Sequence, residues 1–359
     1  MTQEDGDDDI SVGAESCDQE SSMSEWAGEA AHVALALKTG VPPAVQKSLG
    51  KVLGRLVTAV VAYPTGLIEN AARERKAESD ARVRLIDTSK NQLAAQLKVD
   101  PAYAVAASHK YAERIVRSQV NLDLIAAKAV EELSKLPAPA PDVPQEDVPP
   151  VDDDWLNVFE AEASQMSSDH AQRIFAKILA GEIKQPSTFS KKTLKLMSQL
   201  DNHAAEVFSR ACSIAVSQRH GGKIFDARVV GLGDVGNNSL APYGLSYTEC
   251  TLLQEYGLVA SELGGYSDFQ GSIAIGGNIS RPFGYQNSEW VLVPKGDVPR
   301  AEFRLEGIRF SASGSELLPI VEIQLNDDYT TKFREHLEQR GMTITKLIKQ
   351  GDGRWQMVS

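Results

Sequence analysis

Apolar residues recur at helical spacing through most of the N-terminal half. Over 44–62, Val45, Leu49, Val52, Leu53, Leu56 and Val60 share one side of a helical wheel, while Lys47, Lys51 and Arg55 recur every four residues on another. That segregation predicts an amphipathic helix with a basic stripe. Pro64 stops it, having no N–H to continue the ladder. A shorter helix is predicted over 26–37, ending near Gly40 and Pro42–Pro43, and an Ala-, Arg- and Glu-rich helix over 66–88. Asp100–Pro101 opens a long helix over 102–135, the carboxylate as cap and the proline in the first turn. At 1.5 Å per residue it spans about 50 Å. Its apolar positions include Tyr111, Ile115, Leu122 and Ile125, but Ser108, Ser118 and Glu132 fall on the same heptad seam. A helical hairpin or bundle is therefore expected rather than a strict coiled coil.

Helices continue over 155–218. Asp154 is the expected cap of the first, and Asp169 with Gln172 has capping-box spacing before 173–183. Ser190 and Asp201 are expected to cap helices over 191–200 and 202–216. Beyond Lys223 the period shortens. Strands are predicted over 223–230, 271–275, 290–293, 301–312 and 320–325. Two helices interrupt them. One, over 247–256, is opened by the Ser246/Glu249 capping box and closed by Gly257; the other, over 327–340, is closed by Gly341.

The fold class expected is α+β, mainly α. An N-terminal helical hairpin or bundle, a proline-rich linker, and a C-terminal helical plus winged-helix-like α+β domain follow one another. Residues 1–24 read as a disordered acidic tail, 25–136 as the helical domain, 137–153 as the linker, and 154–359 as the second domain. The linker begins PAPAPDVPQEDVPP, whose six prolines favour an extended chain.

Charge changes this picture in one respect. The net charge is −12, yet residues 1–30 hold ten acids and no Lys or Arg, and 137–154 holds six more. Without those sixteen acids the rest carries about +4, so the overall acidity belongs to tail and linker. Residues 38–135 alone carry a net +6. Three cysteines (Cys17, Cys212, Cys250) form no CxxC pair, which fits a reducing compartment. The first residues are acidic rather than a basic, apolar leader, so no signal peptide is expected. The expected location is cytoplasmic, with peripheral attachment at the inner membrane as the alternative.

Candidate chemistry is sparse. Gly231-Leu-Gly-Asp-Val-Gly236 matches GxGxxG after a strand-like run. A dinucleotide site needs a helix to begin at the third glycine; Asn237, Asn238, Pro242 and Gly244 argue for a loop instead. The six histidines show no HxxxH, HxH or HExxH spacing, and only His170 and His203, in successive predicted helices, could meet. No cofactor, metal site or catalytic residue is assigned. The 247–256 helix carries Glu249 and Glu255 and no Lys or Arg, so it suits protein contacts better than DNA phosphates.

Residues 155–200, WLNVFEAEASQMSSDHAQRIFAKILAGEIKQPSTFSKKTLKLMSQL, resemble an uncharacterised bacterial family, domain-of-unknown-function family 2806. The likeness rests on Trp155, Phe159, Phe175, Gly181, Glu182, Pro186, Phe189, Ser190 and their apolar neighbours. Phe175 stands where the family usually has Trp. A looser similarity of layout links the chain to abortive-infection proteins. The resemblance implies a bacterial cytoplasmic protein concerned with phage defence; it brings no catalytic residue. Physically these residues read as scaffold, with Phe189 positioned to staple the helix that Ser190 caps.

The favoured function is a non-catalytic interaction or sensor protein. Its expected partners are another protein or a second copy of itself; nucleic acid is disfavoured, and a small molecule is unassigned. A membrane-surface effector acting through Lys47, Lys51 and Arg55 and a nucleotide-using enzyme at Gly231–Gly236 are the two alternatives.

Overall fold

The structure is a computed structural model that describes residues 43–57, 99–135, 149–233, 238–260, 265–276, 279–296, 303–351 and 354–358. The acidic tail, the helices expected over 26–37 and 66–88, and most of the linker lie outside the described residues. The chain divides into two compact units, Met1–Pro186 and Ser187–Ser359. The domain boundary expected at 137–153 and this division fall at different places.

Four α-helices are described in the first unit: α1 (Pro43–Leu56), α2 (Pro101–Ser134), α3 (Asp153–Ala163) and α4 (Asp169–Lys184). The apolar side of α1 is buried as its spacing predicts, with Leu49 and Val52 fully enclosed. Asp100 caps α2 through the N–H of Ala102 at 2.8 Å, with Pro101 in the first turn. From Asn121 onward α2 buries Leu122, Ile125, Ala126, Ala129, Val130 and Leu133 and packs along α4. A polar seam ties it there. The Lys128 ammonium donates to Gln172 Oε1 at 2.6 Å and pairs with Asp169 at 3.1 Å, and the Asn121 amide donates to the Ser164 carbonyl at 2.9 Å. Helices before and after 137–153 thus share one core. Two caps differ from expectation. Asp152, not Asp154, accepts from Trp155 N–H at 2.8 Å, and Ser168, not Asp169, accepts from Ala171 N–H at 3.2 Å. In each case adjacent residues compete for the cap, and the one three positions before a free N–H takes it.

The second unit holds an eight-stranded antiparallel sheet and five described α-helices. These are α5 (Lys191–Gln199), α6 (Asn202–Ile214), α7 (Tyr247–Glu255), α8 (Ala312–Leu317) and α9 (Asp327–Gln339). The strands are β1 (Ala215–His220), β2 (Lys223–Val230), β3 (Tyr266–Asp268), β4 (Phe283–Tyr285), β5 (Ser288–Pro294), β6 (Arg304–Arg309), β7 (Met342–Lys349) and β8 (Trp355–Met357). Their order is β3-β6-β2-β1-β4-β5-β7-β8. The caps at Ser190, Asp201 and Ser246/Glu249 stand where expected, as do the left-handed stops at Gly257 and Gly341. Side chains two apart share a face. One face carries Val216, Phe283, Tyr285 and Ile344 and is covered by Tyr329, Phe333 and Leu337 of α9, all at 0% exposure. Tyr329 donates from its hydroxyl to the Val230 carbonyl at 2.8 Å, anchoring the helix to β2. On the other face α6 and α8 cover β2, with Phe208 and Phe310 5.5 Å apart.

Several strand expectations change. Residues 215–218, expected to stay helical, leave α6 without a loop and form most of β1, paired on both sides by β2 and β4. Gly221 and Gly222, both at positive φ, make the tight β1–β2 turn. Residues 271–275 form a 3-10 turn and one parallel bridge, Ile273 to Leu292, rather than a strand. Residues 320–325 form no strand: Ile320 ends a 3-10 turn and Gln324 N–H donates to Ser213 Oγ at 2.9 Å before the Asn326 cap. The 301–312 run splits: β6 ends at Arg309 and Ser311 caps α8 through Gly314 N–H at 3.1 Å.

Candidate functional site

The basic stripe of α1 faces inward. Lys51 donates to the Val151 carbonyl at 3.0 Å and pairs with the Asp153 carboxylate at 2.9 Å. Arg55 pairs with Asp153 at 3.5 Å and Glu160 at 3.6 Å, and also donates to Asn157. These contacts bind α1 to the first turn of α3, where the negative end of the pair also complements the helix dipole. Lys51, followed by Arg55, holds the Asp153 carboxyl below the usual carboxylate range. Lys47 alone of the three is exposed. Two of the three cations proposed to meet a membrane or partner are therefore spent inside the unit.

A second basic stripe, which the sequence analysis passed over, is free. The N-terminal half of α2 extends beyond the part that buries its side chains. Tyr103, Ala107, Lys110, Arg114 and Arg117 are all exposed, and their spacing of four, three, four and three keeps them on one face. The line is about 21 Å long at 1.5 Å per residue. Tyr111 (65% exposed) and Ile115 (53%) border it. Among the described residues the side chains of Lys110, Arg114 and Arg117 hold no ion pair and no hydrogen bond. Large apolar groups in water beside unpaired cations have the composition of a contact surface. The sequence signal of this face is its 4-3-4-3 spacing, which runs beside the heptad seam of Ser108 and Ser118.

The signature residues are scaffold in both units. In the first, Trp155 stacks on Phe159 at 5.2 Å and Phe159 meets Phe175 at 5.8 Å, all within the core. Gly181 accepts from Gln185 N–H at 2.9 Å where α4 ends, Glu182 is buried at 1% exposure, and Pro186 closes the unit. In the second, Phe189 and Leu194 are buried at staple positions around the Ser190 cap. Glu316 of α8 reinforces that cap, accepting from Ser190 N–H at 2.7 Å and from the Thr193 hydroxyl at 2.5 Å.

The profile of the family described as "Protein of unknown function (DUF2806)" matches residues 106–334. This is more than half of the 359 residues. The chain belongs to this family. The match reaches well beyond the 155–216 stretch of the resemblance. It takes in the exposed half of α2 from residue 106 and the sheet through β6. No curated protein and no solved structure matches.

The remaining candidates in this family member fare as follows. Gly231 N–H already donates to the Glu306 carbonyl at 3.0 Å. After the glycine run, residues 238–240 form a turn and Ala241–Tyr243 a single 3-10 turn, and the next described α-helix is α7. The third glycine, Gly236, lies outside the described residues, and among the described residues after it no α-helix begins before Tyr247. His170 and His203 are exposed near the starts of α4 and α6, in different units. Among the described residues no group of three or more His, Cys, Asp or Glu is placed to hold a metal ion. Cys212 and Cys250 are buried and form no disulfide; desolvation pushes the Cys250 thiol up to about 11 and also raises the Cys212 thiol. Both are poor nucleophiles. No described helix is long and apolar enough to cross a membrane.

Proposed function

We propose that this DUF2806 protein is a non-catalytic interaction module and that the exposed face of α2 is its contact surface. The observation that carries the reading is the line Tyr103, Lys110, Arg114 and Arg117, bordered by Tyr111 and Ile115, left in solvent and without ion pairs. Aromatic and Arg side chains at such positions are the usual anchors of protein contacts. Unpaired cations favour an acidic partner and speed its approach. The partner class is therefore a protein with an acidic surface. The winged-helix likeness of the second unit, used for protein contacts, belongs to the same reading. So do a cytoplasmic location, which the cysteine usage favours, and a role in phage defence, which rests on the looser resemblance of layout to abortive-infection proteins.

The membrane-effector alternative loses support because Lys51 and Arg55 are engaged by α3. The nucleotide alternative loses support because the glycine run leads into turns. The test is capture from infected and uninfected cells by the intact chain and by a Lys110→Gln, Arg114→Gln, Arg117→Gln variant. A partner recovered by the former and depleted about tenfold or more with the latter supports the reading. Equal recovery by both, or binding of both to anionic vesicles through Lys47, overturns it.

A further inference from the structure

A different surface, in the second unit, is concave. Where β2, β6 and β3 meet, an open pocket of about 430 Å³ is lined by Phe225, Asp226, Arg228, Tyr266, Ser267 and Arg309, with backbone from Ala260 and Gly265. That volume falls within the range of small-molecule sites.

Register places the charged residues. Arg228 and Arg309 are directly paired across β2 and β6, and Leu305 opposite Ser267 continues the same face onto β3. Arg228 is 1% exposed and is the largest fully buried side chain. Its five N–H donors are all used. Nε and Nη2 hold the two Asp226 oxygens at 3.1 Å each, Nη1 donates to the carbonyls of Gly265 at 2.8 Å and Leu305 at 3.2 Å, and Nη2 also donates to Ser267 Oγ. Arg228 is a structural pin with nothing left to offer a ligand.

Arg309 differs. Its Nε rests on Asp226 Oδ1 at 3.2 Å and its side chain is 55% exposed. Its two outer nitrogens hold no partner among the described residues. The acceptors around them are engaged. Asp226 takes both arginines, Gly265 O takes Arg228 and Gly307 N–H, and Ala260 O takes the Gln254 amide at 3.3 Å. Each of these acceptors already holds a donor, and the unused donors in the pocket are the outer Arg309 fork and the Ser267 hydroxyl proton. Two arginines against one aspartate leave a net positive charge. Phe225, about half exposed, adds an aromatic wall, with the Arg281 guanidinium 5.5 Å from its ring.

We infer that this pocket binds a small planar ring bearing an oxyanion, a carboxylate or a phosphate. The oxyanion lies on the outer Arg309 fork, whose geometry suits bidentate recognition, and the ring lies against Phe225. The site is independent of the α2 surface, and neither stands or falls with the other.

The test is calorimetric titration of the full chain with phenyl phosphate, benzoate, inorganic phosphate and phenol. Phenyl phosphate and benzoate separate the two oxyanions; phosphate and phenol each lack one half of the predicted ligand. At least one ring-bearing anion binds about tenfold or more tightly than both phosphate and phenol. Arg309→Gln, at an exposed position that leaves the Asp226–Arg228 pair intact, weakens that binding about tenfold, as does Phe225→Ala; unchanged unfolding midpoints show that both variants fold. The inference is overturned by any of three results. They are no binding of either ring-bearing anion up to about 10 mM, binding unchanged by Arg309→Gln, or phosphate or phenol alone binding as well as the joined molecule.

Discussion

Two arginines in this chain show how far context decides what a residue does. Arg228 is enclosed with every donor satisfied, whereas Arg309, its neighbour across the ladder, keeps half of its side chain in solvent. Burying a charge is tolerable only when it is paired and hydrogen-bonded. Asp226→Asn removes the only carboxylate on Arg228 among the described residues and strands a buried guanidinium. It is expected to cost about 3–5 kcal/mol of the unit's stability, read as the shift in urea midpoint multiplied by the m-value. A cost below about 1 kcal/mol would mean that the pair is solvated in solution. The sequence could not reveal this pin, because an Asp-Ala-Arg run in a strand looks the same whether its face is wet or dry.

At the scale of elements, signals confined to a few residues were legible and those that depend on partners were not. Ser190, Asp201, the Ser246/Glu249 box, Gly257 and Gly341 each act within one turn of chain, and each sits where its local chemistry says. Asp154 and Asp169 misled because Asp152 and Ser168 stand close by and compete for the same N–H groups. β1 was missed for the opposite reason. Nothing between Ser213 and Gln218 breaks a helix; residues 215–220 are strand because β2 and β4 take both edges. The Gly221–Gly222 turn after them was the clue, a two-residue hairpin signal. The alternation Thr343, Ile344, Thr345, Lys346, Leu347 likewise spells β7.

Close approach of backbones fixes one further position. Gly307 of β6 sits at φ 153°, and a Cβ there would lie 1.9 Å from the Val229 carbonyl oxygen of β2. Gly307→Ala must push the two strands apart. About 3 kcal/mol of destabilisation is expected, with the loss of Arg309-dependent anion binding as β6 shifts; an alanine tolerated without change in either readout would contradict the β2–β6 register.

At the scale of the whole molecule, the charge pattern was legible in sum but not in use. The net positive charge over 38–135 is real, yet the stripe that looked most like a surface is tied to α3 by acids about a hundred residues away. Lys110, Arg114 and Arg117 of α2 hold no partner among the described residues. Acid sensitivity also belongs to this scale. Burial, then the Arg340 charge, lowers the His336 imidazole below its ordinary 6.5, while Glu306 opposes them. The unfolded chain therefore takes up this proton first, and stability falls as pH drops below about 6.5 and through the folded value. His336→Gln should flatten the change in urea midpoint between about pH 7 and 5; an unaltered slope would show that other groups carry it. Asp153, Asp169 and Asp201, held below 3.8 by Lys51, Arg173 and the Ala204 N–H as their leading partners, act in the same sense, because the unfolded chain takes up those protons first too, but their contribution is lost only as pH falls below about 4.

The most direct test of the contact surface is photo-crosslinking in living cells, with a benzophenone side chain placed at position 111 or 114 of α2, or at position 47 of α1, in the otherwise intact chain. Adducts to one protein partner from positions 111 and 114, and none from 47, are what the free α2 stripe predicts. Adducts from 47 alone, or none from α2, would contradict it.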